Sequence, residues 1–330
     1  MPLLPGRDPH AIEAAARLLA AGELVAFPTE TVYGLGARAD DDAAVARIFA
    51  AKGRPPDHPL IVHVADATAA RAFAAAVNPA AARLMAAFWP GPLTVIVRRR
   101  PEVAAAAAGG QASIGLRLPA HPVALALLHA AARLGVPGVA APSANRYGRV
   151  SPTTALHVQQ EFGAGLTVID GGACDVGIES AIVDCTRELP ALLRPGQLGR
   201  AQLEAVLGAP LAAPDAASPR APGTLASHYA PAAPVRLFDS AALRARLRGL
   251  QSRAGPGGRV VGVYSRLVPE AEAGWSHRTM PTDAAAVAHE LFAVLREFDA
   301  AGVSAIWVEQ PPPGPEWDGV RDRLRRAAAA

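Results

Sequence analysis

The side chains best suited to chemistry gather first around Lys52. It is the only lysine among 32 Lys and Arg residues, and it opens the stretch Lys52-Gly-Arg-Pro-Pro-Asp-His-Pro-Leu-Ile-Val-His63. Lysine offers a compact, strongly hydrated point charge, whereas Arg54, two residues on, offers a planar fork. The two together suit a polyphosphate, with charge density for one oxygen cluster and bidentate geometry for another. His58 and His63 follow in the same segment. From this stretch alone, a solvated lysine in a Gly/Pro loop is an equal reading.

Other stretches carry the remaining candidates. Thr29 and Thr31 lie in Pro28-Thr-Glu-Thr-Val-Tyr-Gly-Leu-Gly36, just past the end of a short apolar strand, where open α/β sheets put ligand contacts. Gly34-x-Gly36-x-x-Ala39 satisfies a loose dinucleotide fingerprint, but Pro28 ends the strand well before the glycines. In Ser113-Ile-Gly-Leu-Arg-Leu118, Ser113, Gly115 and Arg117 share one face, so Arg117 can reach a carboxylate from mid-strand. Ser143 and Asn145 follow another strand, and Ser151-Pro152 reads as the N-cap and first turn of a helix running to Phe162. Such a helix start is a ready anion site. Gly171, Gly172 and Gly177 form a loop before Ser180 whose amides could approach phosphate, and Arg194 closes a later strand.

The elements that must position these groups read as an α/β chain. Helices are expected at 8–21, 41–51 and 79–88, and strands at 23–27, 60–64, 93–97, 113–118 and 166–170. The Ala/Pro-rich stretch 209–234 reads as a linker, with Pro222-Gly223 and His228-Tyr229 standing out from the filler. Beyond it, strands at 235–238, 260–264 and 303–308 alternate with helices, as in a small α/β unit with parallel crossovers. The domains are therefore 1–208, 209–234 and 235–330.

Composition narrows the class. Aromatics make up 5%, so the core must be built from Ala, Val and Leu, and stacking platforms for single-stranded RNA are scarce. The net charge is +3 with the arginines scattered, which is no nucleic-acid footprint. Two cysteines, Cys174 and Cys185, allow neither a disulfide framework nor a four-cysteine zinc site. No signal peptide or membrane span is read, so a cytoplasmic location is expected. The absence of a Gly-Lys pair excludes a Walker-type loop, and no nucleophile elbow appears. What remains is a polyanion site, most simply for a nucleotide, working by positioning and charge neutralisation.

Taken together, the 28–36 stretch, Lys52-x-Arg54 with His58-Pro-Leu60, Ser143-x-Asn145, Ser151-Pro152 and the linker's Pro222-Gly and His228-Tyr-Ala-Pro231 resemble the YrdC-like family in its long two-domain form. The likeness covers nearly the whole chain. It implies a twisted open mixed sheet with helices, plus a small C-terminal Rossmann-like domain. It also implies synthesis of threonylcarbamoyl-AMP and pyrophosphate from L-threonine, bicarbonate and ATP with Mg2+. The product would pass to the machinery that modifies the adenosine beside the tRNA anticodon, with a weak tRNA contact expected. By position, Thr31, His63, Arg117 and Ser180 would hold threonine, with Arg117 on its carboxylate. Arg54, His58, Ser113, Ser143, Ser151 and Arg194 would contact ATP, and Tyr229 would reach it from the linker. Lys52, Arg54, Ser143 and Asn145 would carry the chemistry at the phosphates.

Two departures stand out. Ala141 replaces a hydroxyl residue of some members, and residues 224–227 lack the basic character of some relatives. Of the alternatives, a carbamoyl-AMP-forming domain of the hydrogenase-maturation type would bring zinc-binding cysteines, and two are too few. A nucleotide- or RNA-binding module without synthase activity would show salt-dependent RNA affinity and no ATP turnover. His58 and His63 are spaced for no common metal site, so no protein-held metal is expected.

Overall fold

The computed structural model describes residues 3–251, 260–266 and 275–329. In chain order the first part forms β1 (Leu3–Pro5), α1 (Pro9–Ala20), β2 (Val25–Phe27), β3 (Gly34–Arg38), α2 (Asp42–Lys52), β4 (Ile61–His63), β5 (Ala74–Ala76), α3 (Pro79–Phe88), β6 (Leu93–Arg99), β7 (Ser113–Arg117), α4 (Pro122–Arg133), β8 (Val139–Ala140), α5 (Ala155–Phe162), β9 (Thr167–Asp170), β10 (Ala181–Asp184), β11 (Ala191–Arg194) and α6 (Arg200–Leu207). The second part forms β12 (Val235–Phe238), α7 (Ser240–Gln251), β13 (Val261–Ser265), β14 (Trp275–Thr279), α8 (Ala284–Ala300), β15 (Ile306–Glu309) and α9 (Asp318–Ala328).

Local chemistry accounts for the helix ends. Asp8 caps α1 by accepting from His10 N at 2.9 Å, and Pro9 fills its first turn. Asp41 caps α2 through the amides of Ala43 and Ala44, and Gly53 ends it in the left-handed region at φ 64°. Lys52 is therefore the last residue of α2, and Arg54 leaves in a new direction. One expectation fails. α5 starts at Ala155, and its cap is Thr154, which accepts from His157 N at 3.3 Å. Ser151 is not the cap because its hydroxyl donates to Glu179 Oε1 at 2.5 Å.

The first part closes into the expected twisted, open mixed sheet, in the order β1-β9-β2-β3-β8-β4-β7-β6-β10-β11 with β5 on β6. Strand alternation sorts the core. Val25, Phe27, Val139 and Ala141 pack with α1 and α4, while Ala26 and Ala140 face the cluster built with α2, α3, α5 and α6. The register sets His63 of β4 directly beside Arg117 of β7 in a parallel pair. β10 runs parallel to β6, which brings Ala181 opposite Leu93.

The chain divides into two compact units, residues 1–147 with 151–224, and residues 148–150 with 225–330. The 209–234 stretch is thus split, and it is hydrogen-bonded along its length. In the first unit, Ala212 N donates to Pro190 O at 2.8 Å and Arg220 pairs with Asp57 at 2.8 Å. In the second, His228 N donates to Arg326 O at 3.3 Å, and the amides of Ala232 and Ala233 donate to Asp299.

The second unit is a four-stranded parallel sheet in the order β12-β15-β13-β14. β14 escaped sequence reading because Trp275-Ser-His-Arg-Thr279 is mostly polar and only Trp275 is buried. β15 starts at Ile306, later than the expected 303, because Val303 N and Ser304 N are drawn to Phe298 O and Val260 O. Among the described residues no helix is long and apolar enough to cross a membrane.

If Thr154 is the α5 cap, Thr154→Ala lowers stability by about 1 kcal/mol, read as a drop in the urea midpoint. An unchanged midpoint would show that the Thr154 bond adds nothing to the stability of α5.

Candidate active site

Arg117 stands at the carboxyl end of β7 and is 4% exposed. Its Nη1 donates to Thr31 Oγ1 at 2.8 Å and its Nε to Gly91 O at 3.3 Å. Its Nη2 lies 2.7 Å from Glu30 Oε1 but without hydrogen-bond alignment, and both Glu30 oxygens lack a hydrogen-bond donor. Thr31 in turn shares a 2.8 Å hydroxyl contact with Thr29, whose own hydroxyl donates to Val32 O. The 28–33 turn therefore sets one hydroxyl and a carboxylate against one guanidinium, with Thr29 bracing Thr31 from behind. The Gly91 corner, which reads as scaffold from sequence, is the strut under that guanidinium.

His63, beside Arg117 on β4, is 3% exposed with Nδ1 unpartnered. Burial, and then the Arg117 charge, push its pKa down to about 3, so the ring is neutral throughout the physiological range. Ser180, fully buried ahead of β10, shares a 2.8 Å hydroxyl contact with Thr94. Arg194 donates from Nε to Ser180 O at 3.0 Å, from Nη2 to Ser180 Oγ at 3.2 Å and from Nη1 to Pro222 O at 3.0 Å. This packing admits only glycine at 196, where a Cβ would sit 2.4 Å from Ala181 N.

The second cluster forms around Lys52, and it overturns the reading of a solvated lysine. Lys52 is 3% exposed, and its Nζ donates to Ser143 O at 2.6 Å and to Asn145 O. Burial and then the Arg54 charge hold its pKa well below the usual lysine range, against the pull of Glu161 and Glu179. Its own carbonyl accepts from Tyr147 N at 2.9 Å, so both ends of the residue hold the 143–147 loop. Leu35 N to Pro142 O and Ala144 N to Tyr33 O, both at 2.8 Å, stitch the same loop to β3. Arg54 donates to Pro59 O at 2.8 Å and lies 5.7 Å from the centre of the Tyr147 ring. Tyr147 Oη meets His58 Nδ1 at 2.8 Å.

Three expectations need qualification. The amides of Gly171 and Gly172 are already taken by Tyr33 Oη at 3.2 Å and Asp170 Oδ1 at 3.0 Å, so they are not free for phosphate. At the start of α5 two amides are likewise occupied, with Thr153 N meeting His157 Nδ1 and His157 N meeting Thr154 Oγ1, both at 3.3 Å. Ser113 stands half-buried at the other end of β7 from Arg117, roughly 13 Å away at the strand rise.

The site residues so far all lie in the first unit. Tyr229 belongs to the second, where it is buried at φ 62°, stacked on Phe292 at 5.4 Å and under Arg323 at 5.2 Å. Glu30, Thr94, Tyr147 and Glu179 were missed from sequence. Only their neighbours signalled them, since Glu30 sits between two candidate threonines and Glu179 precedes Ser180.

Chemically, the site offers buried guanidinium and ammonium groups, a neutral imidazole and several hydroxyls. The Cys174 thiol is not activated, because burial pushes its pKa far up and so disfavours its thiolate. Among the described residues no group of three or more His, Cys, Asp or Glu is placed to hold a metal ion.

A family described as "Telomere recombination" matches residues 17–196, and one described as "Threonylcarbamoyl-AMP synthase, C-terminal domain" matches 198–329. The threonylcarbamoyl-AMP synthase of Bacillus subtilis is 38% identical, over 98% of this chain and 94% of its own. The chain belongs to the threonylcarbamoyl-AMP synthase family.

It has the family's long two-domain form, and the enzyme class follows from full-length relatives of that name. The Pyrococcus abyssi threonylcarbamoyl-AMP synthase is 38% identical over 96% of this chain and 94% of its own. A crystal structure of P. abyssi Sua5 complexed with L-threonine superposes with a TM-score of 0.87 at 36% identity, covering 97% of this chain and 95% of that one.

Two outcomes follow for a site built this way. The folded chain keeps His63 neutral while the unfolded chain protonates near pH 6.5, so the unfolded state binds the extra proton as pH falls. Stability from this residue is complete above pH 6.5 and declines by up to about 1.4 kcal/mol per pH unit toward pH 3. His63→Leu should flatten that limb in urea titrations across the range. Lys52→Met removes the donor to two carbonyls and should cost about 1–3 kcal/mol. Hydrogen exchange at the Ala144 and Tyr147 amides would speed up accordingly, and unchanged protection would show the loop holds without Lys52.

Proposed function

We propose that the chain condenses L-threonine, bicarbonate and ATP into threonylcarbamoyl-AMP, with pyrophosphate leaving. The observation that supports it most directly is the buried Arg117 fork, braced by Thr31 and Gly91 and flanked by neutral His63. An arginine fork is suited to a carboxylate, so Arg117 takes that of threonine, with Thr31, His63 and Ser180 around the rest of the amino acid. That P. abyssi Sua5 forms a complex with L-threonine supports threonine as the amino acid.

The nucleotide would be held by Arg54, His58, Ser113, Ser143, Ser151 and Arg194 and, on family resemblance alone, Tyr229. Lys52 and Asn145 shape and charge the phosphate end. Threonine's amine and bicarbonate give a carbamate and water. A carbamate oxygen then attacks the α-phosphorus, the bond to the β-phosphate oxygen breaks, and pyrophosphate departs. Charge spread over fixed cations and amides stabilises such a step without a protein nucleophile. Magnesium enters with ATP, on the phosphates. The labile mixed anhydride passes to a protein that transfers the threonylcarbamoyl group to the adenosine beside the tRNA anticodon.

The test is pyrophosphate release from MgATP by the full chain, with threonine and bicarbonate each omitted in turn. Release should require both. Arg117→Ala, which removes charged hydrogen bonds of about 3 kcal/mol, should raise the threonine KM roughly 100-fold. Release that ignores threonine would overturn the assignment.

A further inference from the structure

Glu30 has no assigned role in the reaction described above, yet its surroundings are unusual. It is 6% exposed, neither carboxylate oxygen accepts a hydrogen bond, and its near neighbour is the Arg117 guanidinium at 2.7 Å. A buried carboxylate without hydrogen bonds is costly to keep, so such a group needs a reason. We infer that Glu30 accepts the ammonium of the amino-acid substrate, so that Glu30 and Arg117 form a two-charge receptacle for an α-amino acid zwitterion. The inference rests on the reading of Arg117 as the carboxylate site.

Charge balance carries the argument. Arg117 and Glu30 together are neutral. A bare carboxylate added to the Arg117 fork would leave a net negative charge in a buried site, and desolvation penalises that strongly. His63 supplies no compensation, since its ring is neutral. Arg194, on the Ser180 side, keeps its charge but directs its hydrogen bonds to Ser180 and Pro222.

An α-amino acid brings equal and opposite charges on neighbouring atoms of one carbon, so its entry keeps the site neutral. Arg117 retains donor capacity for it, because a guanidinium has five N–H groups and each of its Nη atoms carries two. The two protein charges lie as close together as the substrate's, with Nη2 and Oε1 at 2.7 Å. The carboxylate can lie along the fork while the ammonium meets the second Glu30 oxygen. Thr29 and Thr31, which flank Glu30 in the chain, are buried and hydrogen-bonded to each other, which fixes the turn that presents the carboxylate. This arrangement selects α-amino acids over hydroxy acids and dicarboxylates, and it aims the nitrogen that must capture bicarbonate.

The experiment compares L-threonine with 3-hydroxybutyrate, which keeps the carboxylate and hydroxyl but lacks the amine. Dissociation constants are measured by ligand-observed NMR on the full chain and on Glu30→Gln and Arg117→Ala. Glu30→Gln should weaken threonine at least tenfold and leave 3-hydroxybutyrate within twofold, while Arg117→Ala weakens both.

Equal weakening of both ligands in Glu30→Gln would make Glu30 a brace for Arg117, and no weakening would make it irrelevant; either overturns the inference while the Arg117 reading stands. If Arg117→Ala weakens neither ligand, the carboxylate reading fails and the inference falls with it. Should Glu30→Gln fail to fold, Glu30→Asp keeps the charge but shortens the reach. It should then lose threonine affinity selectively, and equal loss on both ligands would again count against the inference.

Discussion

An amino group shut away from water must be met by oxygen, and for Lys52 the oxygens are the backbone carbonyls of Ser143 and Asn145. Lys52 thereby fastens the end of α2 to the loop after β8. The return bond from Tyr147 N to Lys52 O makes the junction two-sided. Arg54 and His58 are then placed by the same junction, one near the Tyr147 ring and the other on its hydroxyl. Arginine could not substitute freely, because its planar guanidinium is larger than the Lys52 head group and Lys52 is only 3% exposed. That geometry accounts for a single lysine in a chain that otherwise relies on arginine.

Around Arg117 the same desolvation logic works with opposite charges. Glu30, Thr31 and Gly91 come from two separate turns, and they converge only because β4 and β7 are parallel neighbours while β6 returns antiparallel beside β7. A parallel pair followed by an antiparallel one brings a carboxyl-terminal strand end and the Gly91 corner to the same edge. The mixed sheet is thus a requirement of the site as well as a feature of the fold. Ser180 joins through the parallel pairing of β10 with β6, which sets it at Thr94.

The second unit shows how much of a supposed spacer can be structural. His228 and Tyr229 are tied to α8 and α9 through Arg326, Phe292 and Arg323, and the left-handed backbone of Tyr229 is maintained by that burial. Ala/Pro composition suggested a linker, but the contacts that order its 228–233 end come from helices about 60 to 100 residues away in sequence.

Periodicity and capping made much of this protein legible from its residues. Asp8-Pro9, Asp41 and Gly53 end their helices by local bonds, so α1 and α2 could be read directly, as could the face that Arg117 shares with Ser113 and Gly115. The unique lysine, the paired threonines and the Ser143-x-Asn145 stretch likewise marked the site, because their residue types are unusual against an alanine-rich background. What sequence could not decide was which groups were already taken. Ser151 gave up its cap to bind Glu179, the glycine amides went to Tyr33 and Asp170, and Glu30 was drawn to Arg117. Local propensity ranks partners within a few residues, whereas burial makes most polar groups find a partner in space. Only the folded sheet determines which partners those are.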